Sequence, residues 1–156
     1  MDLGQFREFV VRPTLKALDL WSDRAEALLV ATAAHESAGL RYIKQVRGPA
    51  LSFYQIEPPT ARDIWDRWLP KQSITLRTNA QVVAEFRPGD YLENRLLADM
   101  RFATVTARLI YWRVPEALPK ADDVPAMASY WGRHYQTQND SVKIQSFIHN
   151  YERFVR

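Results

Sequence analysis

No cysteine occurs in the 156-residue chain. Its absence excludes disulfides, thiolate nucleophiles and cysteine-ligated zinc, and it leaves the redox compartment unread. Histidine is scarce as well: His35, His134 and His149 are the three, and they lie too far apart along the chain to suggest a metal site. No metal and no other cofactor is therefore expected. No apolar run reaches the roughly 20 residues that a membrane-spanning helix requires, so no integral membrane segment is expected. The first 21 residues, MDLGQFREFVVRPTLKALDLW, include Asp2, Arg7, Glu8, Arg12 and Lys16. Charges at that density leave no room for the apolar core of a signal peptide. Internal repeats and low-complexity tracts are absent too. The net charge of +3 is scattered rather than blocked. Nucleic acid is accordingly not an expected partner, and the mild positive charge suits a solvated surface or a polyanionic polymer equally.

What the chain does have is enough length for one well-buried core, and a single domain spanning 1–156 is expected. Five Trp, seven Tyr and seven Phe make it fairly aromatic, which suits sugar binding or core packing without separating the two. Apolar residues recur at three- and four-residue spacing over about 4–18 (interrupted at Pro13), 23–37, 60–69, 90–113, 124–136 and 141–154. The fold class is therefore mainly α, with at most a small β element. Asp90 with Glu93 resembles a capping box that opens the longest helix, and a helix of that length is expected in the core. RGPALSFYQIEPP and VPEALPKADDVP read as loops, while KQSITLRTNAQVV is ambiguous between irregular chain and a short strand.

One carboxylate stands out. Ala25, Leu28, Leu29, Thr32 and Glu36 share a stripe of the 23–37 helix, so Glu36 points where the core points. Ser22 is the N-cap, Asp23 and Glu26 suit the first turn, and Gly39 supplies the C-terminal stop. Glu36 then sits in the last turn, where the helix dipole and the apolar surroundings both disfavour a negative charge and raise its pKa. A carboxyl that keeps its proton near neutral pH is a general acid. The adjacent HESAG does not make a zinc-protease motif, because the second histidine that motif requires is replaced by Gly39.

Beyond the helix, Glu36-Ser37 is followed by a polar connector, Gly48-Pro49-Ala50 and SFYQIEPPTA. This order resembles the core motif of the soluble lytic transglycosylases and goose-type lysozymes. Glu36, Ser37, Gly48, Ala50, Gln55, Ile56, Pro58, Thr60 and Ala61 match it, with one additional residue before Ala50. A second segment, AMASYWG at 126–132, is similar to the family's Ala-Leu-Ala-Ala-Tyr-Asn-Ala-Gly and sets Tyr130 on the family's cleft tyrosine. Two departures stand against the pattern: Ser52-Phe53 replaces Gly-Leu, and Trp131 replaces Asn. Together the segments cover a lysozyme-like core of about 23–135, with helical extensions at both ends.

The resemblance implies cleavage of the β-1,4 bond between N-acetylmuramic acid and N-acetylglucosamine in peptidoglycan glycan strands. Glu36 would serve as the single catalytic acid and base. Ser37 would orient Glu36 or a sugar group, Gln55 would hydrogen-bond substrate or backbone, Tyr130 would contact Glu36, and Tyr54 and Trp131 would be sugar platforms. The outcome the resemblance implies is lytic transglycosylation, in which the muramoyl O6 closes a 1,6-anhydro product; hydrolysis is the other outcome, with a water placed by one of Asp63, Asp66, Asp90 or Asp99. The Tyr- and Trp-rich ending, YWGRHYQTQND through FIHNYERFVR, looks like bacteriophage virion-associated relatives. It suggests a particle protein, among other virion proteins, that acts in the host periplasm and cell wall and opens a local hole in the wall during genome entry. A non-catalytic virion or ejection component that keeps the lysozyme-like fold is the alternative.

Overall fold

The computed structural model describes residues 1–136 and 140–156, and its regular structure is helical. Thr137, Gln138 and Asn139, part of the ending that resembles virion proteins, lie outside the described residues. Among the described residues there is no strand or sheet, and the only β features are isolated antiparallel bridges from Leu51 to Lys44 and to Ile56. The expected mainly α fold with a small β element is what the chain forms. No described helix is long and apolar enough to cross a membrane.

The first helical run comprises α1 (Leu3–Phe6), a π-helical turn (Arg7–Val11) and α2 (Arg12–Ala17). Pro13 interrupts it by widening rather than breaking it. Proline has no N–H, and its ring would press on the carbonyl of Phe9; the wider turn, closed by the Arg12 N–H on the Arg7 carbonyl, makes room. The same arrangement precedes Pro70, where α4 (Pro58–Arg62) leads into a π-helical turn (Asp63–Trp68) and a 3₁₀ turn (Leu69–Lys71).

Three expectations are corrected. KQSITLRTNAQVV holds a helix, α5 (Ile74–Val83), whose N-cap Ser73 accepts from the Leu76 N–H at 3.2 Å. Only Ala80 of that helix is buried, too sparse a stripe for periodicity to reveal. The 90–113 helix is really two, α6 (Leu92–Ala98) and α7 (Met100–Trp112). Asp99 adopts extended backbone between them and restarts the chain, its Oδ1 accepting from the Phe102 N–H at 2.9 Å and its Oδ2 from Arg95 Nη2 at 2.9 Å. Nor do Asp90 and Glu93 form a capping box: Asp90 accepts from the Arg87 N–H and Arg95, and Glu93 pairs with Arg62.

Two helices fill the middle. α3 (Asp23–Glu36) is buried at every position from Ala25 to Ala34, and α7 from Phe102 to Tyr111. Threonines join the surrounding elements to them. Thr32 and Thr104 donate to the Leu28 and Met100 carbonyls, so the tyrosine hydroxyls that meet them, Tyr111 at 2.8 Å and Tyr54 at 3.1 Å, supply the other proton. Trp65 Nε1 donates to Thr106 at 3.0 Å. Finally α8 (Val124–His134) and α9 (Ser141–Phe154) close over α3. Gly39 is needed for this closure: its φ is +71°, and a Cβ there would lie 2.6 Å from the Phe154 ring.

The first helical run is tied to α3 by Glu26, a buried carboxylate that accepts from Arg7 Nε (2.6 Å), Arg12 Nε and Nη2 (3.0 and 2.8 Å) and Trp21 Nε1 (2.7 Å). Burial works to raise its pKa, but the bonds from Arg12, Trp21 and Arg7 outweigh it and hold the group at about 2. A depressed pKa stabilises the fold above the unfolded carboxyl's range, and that stability is lost as pH falls towards 2. Glu26→Gln should therefore destabilise the protein at pH 7 by at most about 3 kcal/mol, and by less to the extent that solvent around the exposed Arg7 and Arg12 side chains screens the charges. The gap from wild type should narrow between pH 5 and pH 2 in urea denaturation, and a gap independent of pH would rule out this role for the charge.

Candidate functional site

Glu36 is the last residue of α3. The helix stops there because the next residues turn left-handed: Ala38, Gly39 and Leu40 all have positive φ. The chain reversal is hydrogen-bonded throughout. The Ser37 N–H and Oγ both donate to the Ala33 carbonyl, the Gly39 N–H reaches the Ala34 carbonyl at 2.8 Å, and Ser37 Oγ accepts from the Leu40 N–H at 2.8 Å. Ser37 is thus a buried C-terminal cap, and neither a sugar nor the Glu36 carboxyl meets its hydroxyl. Its effect on Glu36 is to fix where the helix ends.

The Glu36 side chain enters a cleft of about 390 Å³. Opposite it lies the bridged loop, where Leu51 and Ile56 exchange backbone hydrogen bonds at 2.9 and 2.8 Å and the Gln45 N–H donates to the Ala50 carbonyl at 2.8 Å. That loop presents Gln45, Ala50, Gln55, Ile56 and Glu57 to the cleft. Thr60 from α4, Ile110 from α7, Arg113 just beyond it, and His134, Tyr135 and Gln136 at the end of α8 complete the wall. Gln55 lines this cleft; it has φ +49°, and its Nε2 is tied to the Ser52 carbonyl at 2.8 Å.

Trp131 has a different role from the one expected. It is buried, and its Nε1 donates to Glu36 Oε1 at 2.9 Å, so it holds the acid instead of offering a face to sugar. Its ring packs edge-on against His35 at 4.6 Å and tilted against Phe147 at 5.2 Å. His35 is an apolar-site histidine: burial pushes it down to about 4, and Asn150 bonds its Nδ1 at 3.0 Å.

Tyr130 does not contact Glu36. One residue along a helix is about 100° around it, and with Trp131 facing the acid, Tyr130 turns away to donate to the Glu116 carbonyl at 2.9 Å. The tyrosine at the cleft is Tyr135, one turn beyond Trp131, whose hydroxyl donates to the Tyr54 carbonyl at 2.5 Å. Tyr54 itself is a core residue packed against Phe6, with no exposed face for a sugar. The departures at Ser52 and Phe53 line a separate small cavity beside Phe6. Ser52 has a positive φ, +71°, and its Oγ accepts from the Tyr54 N–H at 3.1 Å.

None of Asp63, Asp66, Asp90 and Asp99 lines the cleft; Asp63 pairs with Arg113, and Asp90 and Asp99 with Arg95. The second carboxylate on the wall is Glu57, which had no helical periodicity to mark it. His134, paired with Glu116, was also missed. The three-residue spacing from Trp131 to His134 was the available signal.

Burial raises the Glu36 pKa to about 7, against smaller opposing effects of the Trp131 hydrogen bond and the Lys143 charge. The site therefore holds a carboxylic acid near neutral pH, with one oxygen fixed by an indole. No group of three or more potential metal ligands occurs among the described residues. The chain matches no protein-family model, no curated protein and no solved structure.

A raised pKa favours folding at low pH. The contribution is fully present below the unfolded carboxyl's ordinary 4.5 and is lost as pH climbs through that value to about 7. Glu36→Gln should thus stabilise the protein more at pH 8 than at pH 4, by at most about 3 kcal/mol and by less to the extent that solvent reaches the group. Thermal melts of both forms across that range check the sign. Trp131→Phe should push the Glu36 titration above about 7, readable from the side-chain carboxyl carbon by NMR; a fall would show that the indole does not stabilise the carboxylate.

Proposed function

We propose that the protein cleaves peptidoglycan between N-acetylmuramic acid and N-acetylglucosamine, as a lytic transglycosylase with Glu36 as its single acid and base. Support comes from convergence. Of the residues carrying the family resemblance, Glu36, Ala50, Gln55, Ile56 and Thr60 line one cleft, although they come from three different parts of the fold. The cleft also holds an acid whose pKa suits proton transfer near neutrality.

In this reading Glu36 gives its proton to the glycosidic oxygen while the acetamido oxygen of the muramoyl residue bonds to C1 and the C1–O bond breaks. The carboxylate left behind then takes the proton of the muramoyl O6, which bonds to C1 as the acetamido oxygen departs, giving a 1,6-anhydro end. Trp131, fixed on Oε1, stabilises the charge carried between the two steps. Gln55, with its Nε2 engaged, leaves its carbonyl oxygen to accept from a sugar. Glu57 offers an alternative ending, since a carboxylate on the wall that activates water converts the same first step into hydrolysis. The net charge of +3 agrees with an anionic wall polymer, and wall opening by a phage particle is the setting we propose.

Mass spectrometry of digested murein tests the reading. Anhydro-muropeptides are expected from the wild type, with cleavage reduced about 10²- to 10⁴-fold or more in Glu36→Gln. Activity should fall as pH rises through about 7, where the acid loses its proton. Reducing-end products abolished by Glu57→Gln would make the protein a hydrolase. No products at any pH would leave a non-catalytic virion component.

A further inference from the structure

A second cavity lies apart from the Glu36 cleft and shares none of its lining residues. It measures about 490 Å³ and is lined by residues that include Leu20, Trp21, Arg108, Trp112, Leu118 and Tyr130. That volume falls in the range of small-molecule sites. The walls are mostly apolar and aromatic, and Trp21 and Trp112 leave 44% and 46% of their surface exposed.

Arg108 is the unusual member. It projects from the buried stretch of α7 and is only 4% exposed. Its Nε donates to the Leu20 carbonyl at 3.2 Å, and its guanidinium lies 5.1 Å from the Trp112 ring centre. Among the described residues neither Nη1 nor Nη2 has a hydrogen-bond acceptor, and no carboxylate pairs with the group. Burial pushes its pKa down only to about 10, so it stays charged at neutral pH. The contrast with Glu26 is direct: that buried charge has two arginines and an indole, while Arg108 has a carbonyl and a ring face. Nη1 and Nη2 therefore face the open cavity on a largely desolvated side chain, where an anion entering from outside would meet them.

The remaining charges define the anion. Asp19 and Glu116 also line the cavity, and Glu116 is already engaged by Arg133 and His134. Lys16 sits over the Trp21 ring at 5.2 Å, and Arg24 is turned to the Leu118 carbonyl at 3.1 Å. One buried guanidinium flanked by two acids accommodates a single negative charge better than a double one. We propose that this cavity is a binding site for a small carboxylate-bearing ligand with an aromatic or other ring body. Its carboxylate meets the Nη1–Nη2 edge of Arg108 and its ring packs against Trp21 and Trp112. A guanidinium edge matches a carboxylate in two parallel hydrogen bonds, and half-exposed indoles provide ring contact.

Phenylacetate, its neutral isostere phenylacetamide and the dianion phenyl phosphate are suitable probes for the full chain, read by the indole and Arg Nε–H signals in NMR titrations. Phenylacetate should shift Trp21, Trp112 and Arg108 saturably, with phenylacetamide at least about tenfold weaker. Arg108→Met should remove that preference. The comparison of acid with amide on the unchanged protein decides the matter even where the variant fails to fold. Equal binding of acid and amide, or shifts confined to Trp131, would overturn the site. Tighter binding of phenyl phosphate than of phenylacetate would overturn the carboxylate assignment.

Discussion

A helix enclosed on all sides has to end inside the protein, and this constraint on α3 organises the rest. With Ala25 to Ala34 buried around the whole circumference, its last carbonyls cannot turn to water and must find donors nearby. The Ser37 cap and the left-handed turn through Ala38, Gly39 and Leu40 provide them. That turn directs the chain outwards so abruptly that Glu36 is left at the boundary between core and cleft. Phe154 of α9 then packs onto Gly39, and Trp131 of α8 reaches the carboxyl. The cleft is therefore built around the end of one helix, with each later element packed to suit it.

The same helix carries two glutamates with opposite fates. Glu26, in the first turn, meets two arginines and an indole and is held ionised at about 2; Glu36, in the last turn, meets one indole and is raised to about 7. Desolvation is the leading influence at both positions, so the difference lies in the partners. The helix dipole acts in the same direction at each end, favouring charge at Glu26 and opposing it at Glu36. Environments that drive two like groups apart suit them to different work: Glu26 to stability, and Glu36, under the function proposed above, to proton transfer.

Aromatic residues divide between core and cavity for reasons of hydrogen bonding as much as size. Tyr54, Trp65 and Tyr111 are buried because Thr104, Thr106 and Thr32 satisfy their polar atoms. Trp131 is buried because Glu36 satisfies its indole. Trp21 gives its N–H to Glu26 yet leaves a face exposed, and Trp112 is half-exposed with its ring against the Arg108 guanidinium. Each buried polar end has a partner on a neighbouring helix, which makes these pairs determinants of how the helices register as well as of stability.

The sequence by itself determined the helical class, the capped start of α3 at Ser22, its stop at Gly39 and the position of Glu36 at its end. Those features are local: periodicity, a capping side chain and a residue that tolerates positive φ act over a few neighbouring positions. The break at Asp99 was invisible because the apolar pattern continues through it, and α5 was missed because only Ala80 needed burial. Within the candidate site, the motif brought Gln55 into consideration, while the parts of Trp131, Tyr135 and Glu57, and that of Arg108 in the second cavity, were decided by tertiary structure alone. Whether Tyr130 or Trp131 faces the acid depends on how α8 rotates against α3 and α9. Whether a buried charge is paired, as at Glu26, or left open to a cavity, as at Arg108, depends on which distant side chains arrive beside it. Charge pairing and desolvation act through space, between residues as far apart as Glu36 and Trp131, and no short-range pattern encodes them.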